Sequence, residues 1–146
     1  MPKKAAKKKS TTAQEAEKAA KLLQRLVRLK ASDENGYCQC VTCGKTDHYK
    51  SMQGGHFIPR SRAVFKLFEE NIQVQCPACN LWGMKQAHYV LRYRQWMVDK
   101  YGHNRVKAME RLAWRASPKF DRNEVIQFAL GLKKQIKDQE WRIGEV

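Results

Sequence analysis

Apolar residues recur at helical spacing over several stretches of this chain and lose that rhythm over one. Ala16, Ala19, Ala20, Leu23, Leu26 and Val27 mark one face of an amphipathic helix running to about Lys30. Thr12 followed by Glu15 gives a capping-box signature at its start. Ser32-Asp33-Glu34-Asn35-Gly36 is turn chemistry that stops it. Residues 37–80 then break into short irregular pieces rich in Gly, Cys and His, a segment that must be held by something other than a core. Pro77 fits a helix start and Gly83 an early break. A second helix is expected over residues 85–101, closed by Gly102. A third follows over residues 104–116, ended by Ser117-Pro118. Asp121 with Glu124 repeats the capping signature, and Val125, Ile126, Ala129, Leu130, Leu132 and Ile136 mark a last amphipathic helix. There are no internal repeats.

Charge changes this picture at one end. Lys and Arg total 29 against 14 Asp and Glu in 146 residues, a net +15. Residues 1–30 carry +8 of that excess, much of it in the lysine-rich arm before the first helix. Such a balance points to a polyanion partner, nucleic acid before an anionic membrane. No apolar run is long enough for a membrane span, and the N-terminal lysines have no apolar stretch behind them. The arm itself should be disordered in isolation.

The five cysteines supply the chemistry missing from the irregular segment. Cys40 and Cys43 form one C-x-x-C pair and Cys76 and Cys79 another, separated from it by 32 residues. Two residues between thiolates let one tight turn present both sulfurs to one ion, and four thiolates close a tetrahedral Zn²⁺ shell. Redox pairs or merely buried thiols are the alternatives, but a redox pair would need a thioredoxin-like strand–helix context. Cys38 could replace Cys40, although the C-x-x-C-G frame favours Cys40 and leaves Cys38 a buried or free thiol.

Between the pairs stands Gly54-Gly55-His56-Phe57-Ile58-Pro59-Arg60, then Asn71-Ile72-Gln73-Val74-Gln75 leading into Cys76, with Asn80 directly after Cys79. Singly, His56 reads as a satisfied polar loop residue, Asn71 as a turn residue and Asn80 as a helix-start residue. Together, G-H-F-I-P-R and N-I-x-x-Q-C-P-x-C-N resemble the HNH (ββα-metal, His-Me finger) nucleases. The closer resemblance, over about residues 37–102, is to the NinG/Rap recombination proteins of lambdoid phages, whose following helix carries a Tyr and ends in Y-G, as Tyr101-Gly102 does here. The implied fold is α+β, a small zinc-bound ββα-metal core framed by several α-helices. Its parts are a disordered arm (1–11), an N-terminal amphipathic helix and turn (12–36), the zinc-bound nuclease core (37–102) and C-terminal helices (103–146).

The resemblance implies a DNA endonuclease acting on branched recombination intermediates such as Holliday junctions or D-loops. His56 would be the general base, and Asn80 a ligand of a catalytic Mg²⁺ or Mn²⁺ beside the structural Zn²⁺. Asn71 would hold the His loop in place. Many HNH nucleases carry an acidic metal ligand immediately before the His, whereas NinG-like sequences have a small residue there, here Gly55. Gln53, Asp47, Glu69, Glu70 or His88 could complete the shell. Arg60 and Arg62 could clamp phosphates, or line a solvated loop. Lys85 lies nearest the cleft, while Arg92 and Arg94 fit the wet face of a helix. Lys3, Lys4, Lys7, Lys8 and Lys9 would add salt-sensitive affinity through counterion release, or serve as a solubilising tail. Trp82, Trp96, Trp114 and Tyr93 are expected in the core rather than as base-stacking platforms. Two cuts per junction call for a homodimer, with the first and last helices as its interface, in the cytoplasm of a bacterial host if the chain is phage-encoded. A non-catalytic zinc-containing DNA-binding accessory protein is the main alternative, and an RNA-directed or restriction-type nuclease a weaker one.

Overall fold

The computed structural model describes residues 1–2, 5–115 and 119–145. Lys3, Lys4 and the expected stop at Ser117-Pro118 lie outside them. Lys7, Lys8 and Lys9 are exposed and belong to no regular element. Helix α1, Thr12–Lys30, takes Thr11 as its cap, not Thr12. The Thr11 hydroxyl accepts from the Gln14 amide while the Gln14 side chain accepts from the Thr11 N–H, so the box is complete one residue early. Glu15 is engaged instead by the Ser10 hydroxyl and by Lys18.

The apolar stripe of α1 needs a partner, and the last helix provides it. Helix α6, Arg122–Arg142, starts under the Asp121 cap and packs Val125, Ala129, Leu132 and Ile136 along α1. Arg25 pairs with Glu140 at 2.6 Å, and Arg142 donates to the Leu29 and Ser32 carbonyls at 2.9 Å each. The Leu29 carbonyl belongs to the last turn of α1, where intrahelical donors run out, and Ser32 to the turn just beyond it. The two faces expected to form a dimer interface are therefore spent on each other within one chain.

Between α1 and α6 the described residues form two small antiparallel sheets and four shorter helices, an α+β arrangement. Strand β1, Tyr37–Gln39, pairs with β2, Thr46–His48; β3, Gln53–His56, pairs with β4, Ile72–Gln75. Helix α2, Ala63–Lys66, sits in the β3–β4 connection, and α3, Pro77–Leu81, follows β4. A 3-10 turn at Gly83–Lys85 delays the next helix, so α4 spans Ala87–Tyr101 and α5 spans His103–Leu112. Gly102 separates them at φ +90°, a conformation open to glycine at little cost.

The segment expected to lack a core in fact shares one. Cys38, Tyr49, Met52, Ile72 and Val74 join Leu23, Leu26 and Leu29 of α1 and Leu132 and Ile136 of α6. One hydrophobic cluster thus crosses the divisions at residues 36 and 102. A second cluster brings Phe57, Ile58 and Phe65 against Tyr93 and Met97 of α4 and Val106 and Met109 of α5. Trp96 is half-buried beside it and Tyr93 wholly buried, as expected of core residues. Trp82 and Trp114 are not core residues: they stand 70% and 81% exposed, at the end of α3 and just beyond α5. No helix among the described residues is long and apolar enough to cross a membrane.

Leu26 is fully buried where α1 meets the shared cluster. Leu26→Ala should lower unfolding free energy by about 2–5 kcal/mol in urea denaturation of the metal-loaded protein. A loss under about 1 kcal/mol would mean that α1 does not anchor the core.

Candidate functional site

The two C-x-x-C pairs meet. The Sγ atoms of Cys40, Cys43, Cys76 and Cys79 all lie within 4.8 Å of one another, and Cys43 and Cys76 are 3.7 Å apart. Thiolates about 2.3 Å from a tetrahedral zinc would be separated by about 3.8 Å. Gly44, at φ +79°, lets its N–H turn back to the Cys40 carbonyl, closing the first knuckle. The second knuckle is also a helix start: Cys76 Sγ accepts from the Cys79 amide as the cap of α3, with Pro77 in the first turn. Burial opposes the Cys40 thiolate, yet amides of Cys43, Cys76 and Thr42 together draw its pKa below the usual thiol value. Burial and the neighbouring sulfurs push Cys79 well above it. Four crowded sulfurs of that kind favour a shared cation, so the donor set fits a structural zinc ion. Cys38 is buried in β1 and stands outside the group.

The strand leading to His56 is shaped by what touches its glycines. A Cβ on Gly54 would lie 2.8 Å from Gln24 Cβ and 2.9 Å from its Cα, because α1 rests on that face. A Cβ on Gly55 would lie 1.8 Å from Gln75 Oε1 and 3.0 Å from Asn80 Oδ1. Alternation along β3 sends these contacts to opposite faces. The wholly buried Tyr93 donates its hydroxyl to the Gly55 carbonyl at 2.7 Å, tying the strand to α4.

His56 ends β3, and its Nε2 lies 3.2 Å from the Lys66 carbonyl. A carbonyl only accepts, so Nε2 carries the hydrogen and Nδ1 is the basic nitrogen of the neutral ring. Burial, with help from Arg60 and Lys66, pushes the His56 pKa below its ordinary value. Asn71 is fully buried and staples the loop beyond it. Its Oδ1 accepts from Ile58 N–H at 2.8 Å, and its Nδ2 donates to the Ile58 and Phe65 carbonyls at 2.9 and 3.1 Å.

His56 and Asn80 line one cleft of about 490 Å³, together with Gln24, Pro59, Arg60 and Met84. Asn80 Nδ2 donates to Gln53 Oε1 at 2.8 Å, while Oδ1 faces Gly55 beside Gln75 Oε1. Gln75 donates to Thr42 Oγ1, inside the first knuckle, but its own Oε1 is buried without a hydrogen-bond partner. Asn80 is the amide of this pair that lines the cleft, and an amide oxygen is among the hard donors Mg²⁺ takes, so Asn80 fits such an ion in kind. Of the residues that could complete a shell, Gln53 is the one in contact with Asn80. Glu69 pairs with Lys30 and Glu70 with Arg105, Asp47 lies beside Lys45 on β2, and His88 stacks on Tyr89.

The cations divide into committed and free. Glu17 of α1 accepts both nitrogen–oxygen contacts of Arg60, at 2.6 and 2.7 Å, and pairs with Lys66 at 2.8 Å. Lys66 and Arg60 hold the Glu17 pKa down to about 2. Arg60, expected to clamp phosphate, is thus already bound to a carboxylate. Arg62 is exposed and makes no salt bridge among the described residues; its guanidinium lies 5.3 Å from the Trp114 ring centre. Lys85 stands 6.0 Å from the Trp82 ring centre. Sequence reasoning missed Gln24, Gln75 and Glu17. Gln75 alone had a signal, as the Gln before Cys76, whereas the contacts of Gln24 and Glu17 come from packing across long sequence separations.

The family model described as NinG: Bacteriophage Lambda NinG protein matches residues 1–141. No curated protein and no solved structure matches the chain.

Metal analysis of the purified protein should find one zinc per chain, and a strong chelator at neutral pH should abolish its cooperative thermal transition. Cys76→Ser should lower both metal content and melting temperature, while Cys38→Ser leaves the metal content unchanged; equal metal loss in both would refute the assignment. Asn71→Ala leaves three buried backbone groups without partners and should cost about 2–4 kcal/mol in denaturant unfolding.

Proposed function

We propose, from the premise that the chain belongs to the bacteriophage lambda NinG family, that it is a metal-dependent DNA endonuclease of the HNH type. Its substrates would be branched recombination intermediates such as Holliday junctions or D-loops. β3, β4 and α3 serve as the ββα unit, and the four-cysteine centre is structural. One observation carries the reading: His56 ends β3 in the same cleft as Asn80, with Nε2 engaged by a backbone carbonyl and Nδ1 left basic.

Hydrolysis of a phosphodiester needs a water stripped of its proton beside the phosphorus. His56 takes that proton at Nδ1, and its lowered pKa keeps the ring neutral and ready at physiological pH. Asn71 fixes the backbone that follows His56, and Tyr93 fixes the carbonyl that precedes it. Asn80 Oδ1 would help to hold a Mg²⁺ or Mn²⁺ ion, whose chemistry is to stabilise negative charge on the leaving oxygen. Arg62, Lys85 and the exposed Lys7, Lys8 and Lys9 supply phosphate affinity that weakens with salt. Cutting both strands of a junction needs two such sites. We therefore infer a homodimer, built on surfaces other than the mutually buried faces of α1 and α6.

A DNA-binding accessory protein without catalysis is the competing reading. It is favoured by one feature: among the described residues, no cluster of three or more His, Cys, Asp or Glu groups includes an acid near Asn80. Cleavage assays separate the two. With Mg²⁺ or Mn²⁺ the protein should cut labelled branched DNA, and His56→Ala should slow cutting by about 10²-fold or more while keeping zinc and DNA affinity. Junction, flap and duplex DNA all left intact would sink the enzyme reading. The acid limb of kcat/KM should lie below about pH 6.5, because a depressed imidazole protonates only there. A limb at or above neutral pH would remove His56 as the base.

A further inference from the structure

The His56 cleft does not end at Pro59. Phe57, Pro59 and Val90 also line a neighbouring groove of about 290 Å³, whose far side is formed by Arg62 and Trp114. The Trp114 ring is 81% exposed, and the Arg62 guanidinium 5.3 Å from its centre can cover only one of its faces. Glu110, the acid on this groove, is already held by Arg94 at 2.8 Å. Among the described residues the groove therefore presents one uncompensated cation and one open indole face, next to the cleft that holds His56 and Asn80. Those two features match the two parts of a nucleotide, a phosphate and an aromatic base.

We propose that Trp114, backed by Arg62, is a stacking platform for an unpaired nucleobase of the DNA strand lying in the His56 cleft. A base within a duplex has both faces covered by its neighbours, so the indole can take only a base that has left the stack. The substrate class follows: DNA with unpaired nucleotides close to the bond to be cut, as at a fork, flap or strand-exchange point, in preference to continuous duplex. Trp114 is 81% exposed and belongs to none of the core clusters among the described residues, so its replacement should leave the fold intact. The proposal rests on the nuclease reading only in laying a DNA strand through the cleft.

The test measures binding, not cleavage, in a His56→Ala background that leaves DNA intact. Fluorescence anisotropy compares a labelled forked duplex with a fully paired duplex of equal length and phosphate count. Trp114→Ala should weaken fork binding about tenfold and duplex binding less than twofold, and Trp114→Phe should retain most of the fork affinity. Arg62→Gln should weaken fork binding and flatten its salt dependence. Trp141, 78% exposed on α6 and lining neither groove, is the control; Trp141→Ala should change nothing. Unchanged fork affinity in Trp114→Ala, or equal losses on fork and duplex, would overturn the proposal. Wild-type cutting of the same DNAs judges the nuclease reading separately: a stacking effect without cutting would leave the platform standing and remove the enzyme.

Discussion

Four sulfurs that must meet at one point constrain almost everything between residues 40 and 80. The thiols come from two turns far apart in sequence, and bringing them within 4.8 Å also brings together the chain on either side. Val41 donates its N–H to the Val74 carbonyl, so the first knuckle is stitched to β4. Cys76 is both a member of the four-sulfur group and the cap of α3, which means that the strand-to-helix turn and the sulfur cluster are one piece of geometry. Asn80 lies one residue beyond the last cysteine and inherits its position from that turn. Thr42, inside the first knuckle, accepts from Gln75, whose free oxygen then faces Gly55 and Asn80. A cation shared by these four cysteines would, together with the shared hydrophobic cluster, hold the cleft of this short, irregular segment in register.

The metal centre alone would leave the other side of the cleft open. Helix α1 closes it, held in turn by α6, and its backbone approaches Gly54 so closely that a side chain there would collide with Gln24. Tyr93 from α4 seizes the carbonyl of Gly55 from another direction, and Asn71 locks the loop after His56 with three side-chain hydrogen bonds. His56 therefore sits on a strand held on both faces and at both ends. Its lowered pKa follows from the same packing, since burial beside Arg60 and Lys66 disfavours the imidazolium.

Charge is divided in a way the net +15 conceals. Glu17 pairs with both Arg60 and Lys66 beside His56 and offsets one of their two charges, Glu70 holds Arg105 and Glu110 holds Arg94, while Arg62 and the arm lysines 7–9 remain unpaired among the described residues. Part of the unpaired charge lies beside the cleft, at Arg62, and on the arm, where it can draw in a phosphate backbone. Inside the cleft His56 and Asn80 share the wall with Arg60, and the two cations outweigh Glu17, so the field at the imidazole disfavours its protonated form.

Sequence alone determined the features whose cause is local. The C-x-x-C spacing fits one ion because two residues span one turn; Asp121 caps α6 and Gly102 ends α4 because capping and left-handed backbone are settled within a few residues. Even there the first box slipped from Thr12 to Thr11, since adjacent threonines offer near-equal caps. Tertiary structure decided the rest. Whether an amphipathic stripe meets another copy or its own chain depends on where α6 returns, and it returns onto α1. Whether a tryptophan is core or surface depends on what packs over it, which left Trp96 half-covered and Trp82 and Trp114 bare. Arg60 found Glu17 across 43 residues of sequence, and Gln75 met Gly55 only because β4 and β3 pair in one register. Such contacts join groups distant in the chain, and no periodicity or spacing encodes them.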